Sequence, residues 1–226
     1  MKYGIHPSKE LVHLFSEKPY QGVNPADSKI LIIGNDANYS PEISNHRFFE
    51  RVLEYHEDGV LFWKNSGRHH PFLLDEYPFD RRKGGVKYHR NFNKLGFGHE
   101  FASHFSFVEL LNIPTTGNTG SDLTLFYKLL DKRHLKWLED LILRGNKKFI
   151  VVNQTLASLI GKINKKFDIL GDLSRILMKK HAPAIVSETP NMVLYNGYSF
   201  SYSITNEYIQ GLSIKMMRFL ENEGLR

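Results

Sequence analysis

The sequence predicts an α/β protein with three layers, in which helices cover both faces of a central, mostly parallel four-stranded sheet. Three observations lead to this prediction. Short apolar runs rich in β-branched residues recur along the chain, and segments with helical apolar spacing separate them. Neither a linker nor an internal repeat divides the sequence. We therefore expect residues 1–226 to form a single domain.

The first elements are a helix and a central strand. Residues 8–16 carry apolar side chains at helical spacing, and Pro19 closes the segment. Residues 29–34 form an apolar, mostly β-branched run that ends in glycine, which is typical of a strand buried on both faces. After this strand we expect Ser44 to cap a helix that runs to about Gly59.

Residues 60–86 are predicted to form a long loop, with a basic core at residues 81–85. Loops longer than about a dozen residues in compact domains are usually functional or mobile. The basic and aromatic residues of this segment would suit a contact with nucleic acid, and a solvated insertion is the alternative interpretation.

The remaining elements continue the alternation of strands and helices. Further strands are expected over residues 105–112, 148–153 and 192–195. Pro114 ends the first of these three strands. Helices are expected over residues 88–95, 123–130 and 134–143, from the third strand through Ile160, and at the C-terminus, where Ile209, Leu212, Met216 and Phe219 form one apolar stripe.

Composition narrows the classes of function. The 30 Lys and Arg residues outnumber the 24 Asp and Glu residues, which gives a net charge of +6. This charge favours the binding of polyanions such as nucleic acid, although many basic proteins bind no nucleic acid. The chain has no cysteine, which excludes disulfides, cysteine nucleophiles and zinc fingers. Since no apolar stretch suggests a secretory signal or a membrane span, we expect a soluble, cytoplasmic monomer with no membrane partner.

Polar loops follow three of the predicted strands. They comprise residues 34–41, 112–117 and 198–203. Ligands of open α/β sheets bind at the carboxyl ends of the strands, so these loops are the first places to look for a site.

Three segments resemble motifs of the uracil-DNA glycosylase superfamily, closest in layout to its mismatch-specific and single-strand-selective branches. Residues 33–36 (Ile-Gly-Asn-Asp) match its first motif, a hydrophobic strand and glycine followed by a catalytic Asp or Asn. Residues 45–49 (Asn-His-Arg-Phe-Phe) are similar to the Asn-Arg-Phe-Trp helix start of the mismatch-specific branch. Residues 110–115 resemble the second strand, whose terminal asparagine reads the extruded base.

The resemblance spans residues 29–206 and includes two departures that mark a divergent member. Ala37 stands where the family usually has proline, and residues 198–201 replace the common His-Pro-Ser of the last motif. The resemblance implies a uracil-DNA glycosylase-like domain that flips a deaminated or damaged base, with uracil as the leading candidate, out of single- or double-stranded DNA. The enzyme would hydrolyse the N-glycosidic bond in base excision repair.

The predicted catalytic residue is Asp36. Cleavage of an N-glycosidic bond builds positive charge on the sugar, so a carboxylate facing the anomeric carbon, or activating a water, stabilises the transition state. A helix-capping or turn aspartate is the alternative, because Asp commonly serves turns.

Base recognition is assigned to Asn112, whose amide offers both a donor and an acceptor, and a turn-forming role is the alternative. Stacking of the flipped base is assigned to Tyr39 and to Phe48 or Phe49, and the two phenylalanines could equally be core residues.

Contacts with DNA are assigned to two segments. In the last polar loop, Ser199 and Ser201 would bind phosphates of the DNA while Phe200 inserts into the double helix. The alternation of polar and apolar residues in this loop is equally typical of an ordinary strand. The turn that carries Thr115, Thr116 and Asn118 is a second candidate phosphate site.

We expect neither a metal nor a cofactor. The pair His69-His70 lacks a carboxylate at a recognised ligand spacing, and adjacent side chains rarely converge on one ion. Motifs for phosphate-binding loops, dinucleotides and serine hydrolases do not occur. The alternatives to a glycosylase are an inactive nucleic-acid-binding protein with the same fold and a small-molecule α/β enzyme.

Overall fold

The computed structural model describes residues 2–82 and 84–225. Its strands are β1 (Gly4–Ile5), β2 (Tyr20–Gly22), β3 (Ile30–Gly34), β4 (Phe105–Glu109), β5 (Thr115–Thr116), β6 (Lys148–Asn153), β7 (Ala184–Thr189) and β8 (Met192–Gly197). Its α-helices are α1 (Lys9–Glu17), α2 (Phe49–Glu57), α3 (Gly59–Ser66), α4 (Gly84–Asn93), α5 (Leu123–Leu129), α6 (Lys132–Arg144), α7 (Gln154–Phe167), α8 (Gly171–Leu177) and α9 (Asn206–Asn222).

The main sheet is mixed and has six strands in the order β2-β4-β3-β6-β8-β7. The four central strands are parallel, whereas β2 and β7 pair antiparallel at the two edges. The predicted α/β class and the four parallel strands are confirmed, but the predicted total of four strands is wrong. The two edge strands escaped prediction because β2 has only three residues and β7 is half-exposed, so neither carries a long apolar run.

Helices cover both faces of this sheet. Alternate residues of β3 point to opposite sides, so Leu31 and Ile33 pack under α5, α6, α7 and α8, whereas Ile30 and Ile32 pack under α3, α4 and α9. A third apolar cluster joins α1 and α2 to the segment around Phe72. The three-layer arrangement follows from these two buried faces.

The region predicted as one long loop is helical at its two ends and around Pro71, and residues 67–70 and 74–82 are irregular. Asp58 caps α3 by accepting the N–H groups of Val60 and Leu61, so a helix begins where glycine was expected to end one. A 3-10 helix at Pro71–Leu73 follows, and α4 begins at Gly84. Lys83, within the predicted basic core, lies outside the described residues.

Two further expectations are corrected near the strand ends. Ser44 does not cap α2, because it lies inside a 3-10 helix at Pro41–Asn45 and its hydroxyl donates to the carbonyl of Pro41. The second predicted strand ends at Glu109, so Asn112 lies beyond the sheet. Within residues 2–82 and 84–225, no helix combines the length and apolarity that crossing a membrane requires.

Candidate functional site

A narrow crevice lies at the carboxyl ends of β3 and β6, the neighbouring central strands. The chain passes from β3 to β4 on one side, while β6 lies on the other side of β3, so the connections diverge at this point. Such a switch point is where open α/β sheets bind ligands. The residues lining the crevice include Ile33, Tyr88, Asn153, Tyr198 and Phe200.

Asp36 is held in the loop that follows β3 by three hydroxyl groups. Its Oδ2 accepts hydrogen bonds from the hydroxyls of Tyr3, at 3.2 Å, and Thr115. Its Oδ1 accepts one from Thr119 at 2.7 Å. The residue remains partly exposed, so its carboxylate is oriented by the protein and is still within reach of solvent.

Backbone pairing brings these hydroxyls together. β1 pairs antiparallel with β5, which places the N-terminal segment beside the Thr115 turn. The Thr115 N–H donates to the carbonyl of Ala37, and the Tyr39 N–H donates to the carbonyl of Thr115. Burial and the charge of Asp36 both raise the pKa of Tyr3, which is therefore a neutral donor near pH 7.

A second carboxyl group, that of Glu109, lies at the end of β4. In the parallel pairing of β3 and β4, Glu109 is opposite Gly34, two residues before Asp36. Burial, followed by the negative charge of Asp36, raises the pKa of Glu109 to about 8. The site therefore combines a hydroxyl-bound carboxylate with a carboxyl group that is mostly protonated at neutral pH.

A network of histidines and tyrosines begins at Tyr39, in the same loop after β3 that carries Asp36. The hydroxyl of Tyr39 is 2.7 Å from Nε2 of His56 and 3.5 Å from Nε2 of His70. Nδ1 of His56 is hydrogen-bonded to the amide of Gln21. Burial lowers the pKa of His56 to about 3, so the network is neutral at pH 7.

The network continues through two further histidines. The rings of His70 and His89 stack with centroids 3.5 Å apart, and Nε2 of His69 lies 3.1 Å from Nδ1 of His89. Burial lowers the pKa of His89 to about 3 and the pKa values of His69 and His70 well below their ordinary range. In the part of the chain that the structure describes, no three side chains of the metal-binding types are grouped to hold an ion.

The residues predicted to recognise the base lie in two different environments. The amide of Asn112 donates to the carboxylate of Asp131 at 3.4 Å, at the N-terminus of α6. Tyr39, Phe48 and Phe49 are buried in the apolar cluster around α1 and α2. In this conformation no face of these three rings is open for stacking, and their role in recognition stays a prediction.

The residues predicted to contact DNA are also divided. Thr115 and Thr116 are buried in β5, where Thr115 serves Asp36, and Asn118 caps the 3-10 helix at Thr119–Ser121. Their contact with phosphates remains a prediction, and the described geometry gives each of them an internal partner.

In the last polar loop, Ser199 and Ser201 are partly exposed, whereas Phe200 is only 3% exposed and packs edge-on against Tyr88. The side chains that this loop presents to solvent are instead Tyr198 and Tyr202, which are 41% and 60% exposed.

Sequence reasoning overlooked three members of the site, which are Tyr3, Glu109 and Thr119. For Glu109 a signal was present, because a glutamate at the end of a mostly apolar, buried strand is unusual. Tyr3 and Thr119 reach Asp36 only through the pairing of β1 with β5 and the following turn, which local patterns do not reveal.

No protein-family model matches this chain, and no curated protein or solved structure matches it either.

Proposed function

We propose that the protein is a monofunctional DNA glycosylase that excises a deaminated or damaged base, with uracil as the first substrate to test. The observation that carries this proposal is the setting of Asp36. Its carboxylate lies just beyond the carboxyl end of β3, one of the four parallel central strands, is fixed by three hydroxyl donors and belongs to a residue that remains partly exposed.

The proposed role of Asp36 follows from the chemistry of the bond. As the base departs, positive charge develops on the deoxyribose, and a carboxylate fixed nearby stabilises that charge without reorganising. The same carboxylate accepts a proton from the water that attacks the anomeric carbon. Three hydroxyl donors hold both oxygens of Asp36 in one orientation, which such positioning requires.

The last polar loop, which lines the crevice through Tyr198 and Phe200, supports a nucleic-acid substrate, and Asp36 is not among the lining residues of the crevice. Tyr198 and Tyr202 expose rings on which bases could stack, and Lys87 donates to Ser203 in the same loop. The net charge of +6 adds a general attraction for phosphates. These features favour a polynucleotide over a free nucleoside.

The test is base release from oligonucleotides that carry one uracil, single-stranded or opposite adenine or guanine, followed by alkaline cleavage of abasic sites. Asp36→Asn is expected to lower the rate by about 100-fold or more. Asp172→Asn is the matched control, because Asp172 is an exposed carboxylate on α8 that pairs with Arg175.

Unchanged activity in Asp36→Asn would remove this residue from the reaction. Salt-dependent DNA binding with no release of any base by the wild type would instead identify a binding protein.

A further inference from the structure

We propose that Glu109 is the acid partner of Asp36 and delivers a proton to the base as it leaves. This inference rests on the proposed function, and it assigns the second carboxyl group at the end of the sheet to the leaving-group side of the reaction.

The placement of Glu109 is set by the register of two neighbouring strands. Gly34 and Glu109 are paired as the last residues of β3 and β4. The side chain of Glu109 crosses over Gly34, because a Cβ atom added to Gly34 would lie only 1.9 Å from Oε2 of Glu109. The glutamate is thereby directed across the end of the strand that leads into Asp36.

The groups around Glu109 favour its neutral form. Burial opposes ionisation of Glu109 most strongly, and the negative charge of Asp36, from the loop after β3, opposes it further. Glu109 also acts on three neighbouring phenols, because a negative charge on it would raise the pKa values of Tyr39 from the same loop, Tyr55 from α2 and Tyr88 from α4. His134 from α6 bonds the backbone carbonyl of Glu109 at 2.8 Å.

Two carboxyl groups in different protonation states can divide the work of glycoside hydrolysis. The bond between C1′ and the base nitrogen breaks, and its electron pair leaves with the base. The carboxylic acid of Glu109 gives its proton to the departing base, while water forms the new bond to C1′ and gives a proton to Asp36. The products are the free base and an abasic deoxyribose, and exchange with solvent restores both carboxyl groups.

This division of work predicts a dependence on the leaving group. A base that is a poor leaving group as an anion needs the proton more than one that departs easily. 5-Fluorouracil departs more easily than uracil, because fluorine withdraws electrons and stabilises the anion. The two bases therefore measure how much the enzyme relies on an acid.

The experiment compares wild type, Glu109→Gln and Glu188→Gln on single-stranded oligonucleotides that carry one uracil or one 5-fluorouracil, between about pH 6 and pH 9.5. Glu188 is an exposed glutamate on β7 and serves as the control. Wild-type kcat/KM for uracil is expected to fall above about pH 8, the pKa of Glu109. Glu109→Gln is expected to lose at least about tenfold on uracil at pH 7, to lose less on 5-fluorouracil and to show no alkaline fall.

The possible outcomes separate the two proposals. If Glu109→Gln retains the alkaline fall in kcat/KM and loses the same factor of activity on uracil and on 5-fluorouracil, the acid role is overturned while the glycosylase proposal stands. If the wild type releases neither base under any condition, both proposals are overturned. Thermal unfolding of Glu109→Gln, and a 13C NMR titration of Glu109 in the wild-type chain with an expected midpoint near pH 8, complete the test. A midpoint near the ordinary value for glutamate would also overturn the acid role.

Discussion

The carboxyl group of Glu109 occupies the space that a side chain on Gly34 would need. A Cβ atom at Gly34 would lie 1.9 Å from Oε2 and 2.6 Å from Cδ of Glu109. Because these atoms are the far end of a flexible side chain, a methyl group can be accommodated if the glutamate turns away. The relationship therefore links the identity of residue 34 to the position of a carboxyl group rather than to the fold.

Gly34→Ala is accordingly expected to fold and to displace Glu109. Once displaced, the carboxyl group would be better solvated and farther from Asp36, so its pKa should fall from about 8 towards the ordinary value. The 13C titration of Glu109 measures this shift. Gly211→Ala in α9 is the control, because a Cβ there meets nothing within 4 Å, and it should raise stability by up to about 1 kcal/mol. An unchanged titration midpoint in Gly34→Ala would contradict the prediction.

The four histidines of the network, which are His56, His69, His70 and His89, predict a loss of stability in mild acid. Their pKa values are lowered by burial in the folded protein, so below about pH 6.5 the unfolded chain binds more protons than the native chain. The contribution is fully present above that pH and is lost as the pH falls towards about 3, the folded value for His56 and His89. Each histidine costs up to about 1.4 kcal/mol per pH unit in this window.

Urea unfolding at several pH values between about 7.5 and 4.5 measures this dependence. His89→Phe keeps an aromatic ring against His70 and removes one titrating group, so the slope of the unfolding free energy against pH should become shallower. His13→Phe is the control, because His13 is exposed on α1. Equal slopes in the wild type and His89→Phe would show that His89 does not contribute to acid unfolding.

The sheet could be predicted from the sequence where its strands are buried on both faces. Residues 148–153 are predicted as a strand, and β6 has the same bounds, because a short apolar run rich in β-branched residues is typical of a strand buried on both faces. The edge strand β7 has exposed Glu188 and Thr189, and such a half-polar pattern does not stand out from a loop. The helix α3 was overlooked because Gly59 was interpreted as a stop, although Asp58 before it is a strong cap.

The candidate site could be predicted only in part. Asp36 follows a recognisable strand and glycine, so its position at the carboxyl end of the central strands was predictable. Glu109 acquires meaning only when the register places it opposite Gly34, and Tyr3 only when β1 pairs with β5. These relationships depend on residues more than 70 positions apart, which periodicity within one segment cannot encode.

The hydroxyl groups around Asp36 should stabilise the protein through their hydrogen bonds to its carboxylate. Their contribution to the unfolding free energy should therefore depend on the presence of Asp36. Thr119→Val keeps the shape of the side chain and removes the donor to Oδ1 of Asp36, so it should destabilise the protein by about 1.5–3 kcal/mol. In the Asp36→Ala background the same change should cost much less, because the partner is gone. A double-mutant cycle by urea unfolding measures the coupling, with Thr124→Val, at an exposed position on α5, as the control. Additive effects of Thr119→Val and Asp36→Ala would show that the hydrogen bond contributes nothing to stability.

Substitution of Asn112 can show whether this residue stabilises the fold or recognises the base. Its amide donates to Asp131, whose carboxylate caps α6 through the N–H groups of Arg133 and His134. Asn112→Ala should therefore lower the unfolding free energy by about 0.5–1.5 kcal/mol, as expected for one partly exposed hydrogen bond, and should leave base release within about twofold of wild type. Urea unfolding and the uracil-release assay measure the two effects on the same preparation. A loss of release of about 100-fold at unchanged stability would instead assign Asn112 to the base, because an amide that reads the substrate acts on the reaction and not on the fold.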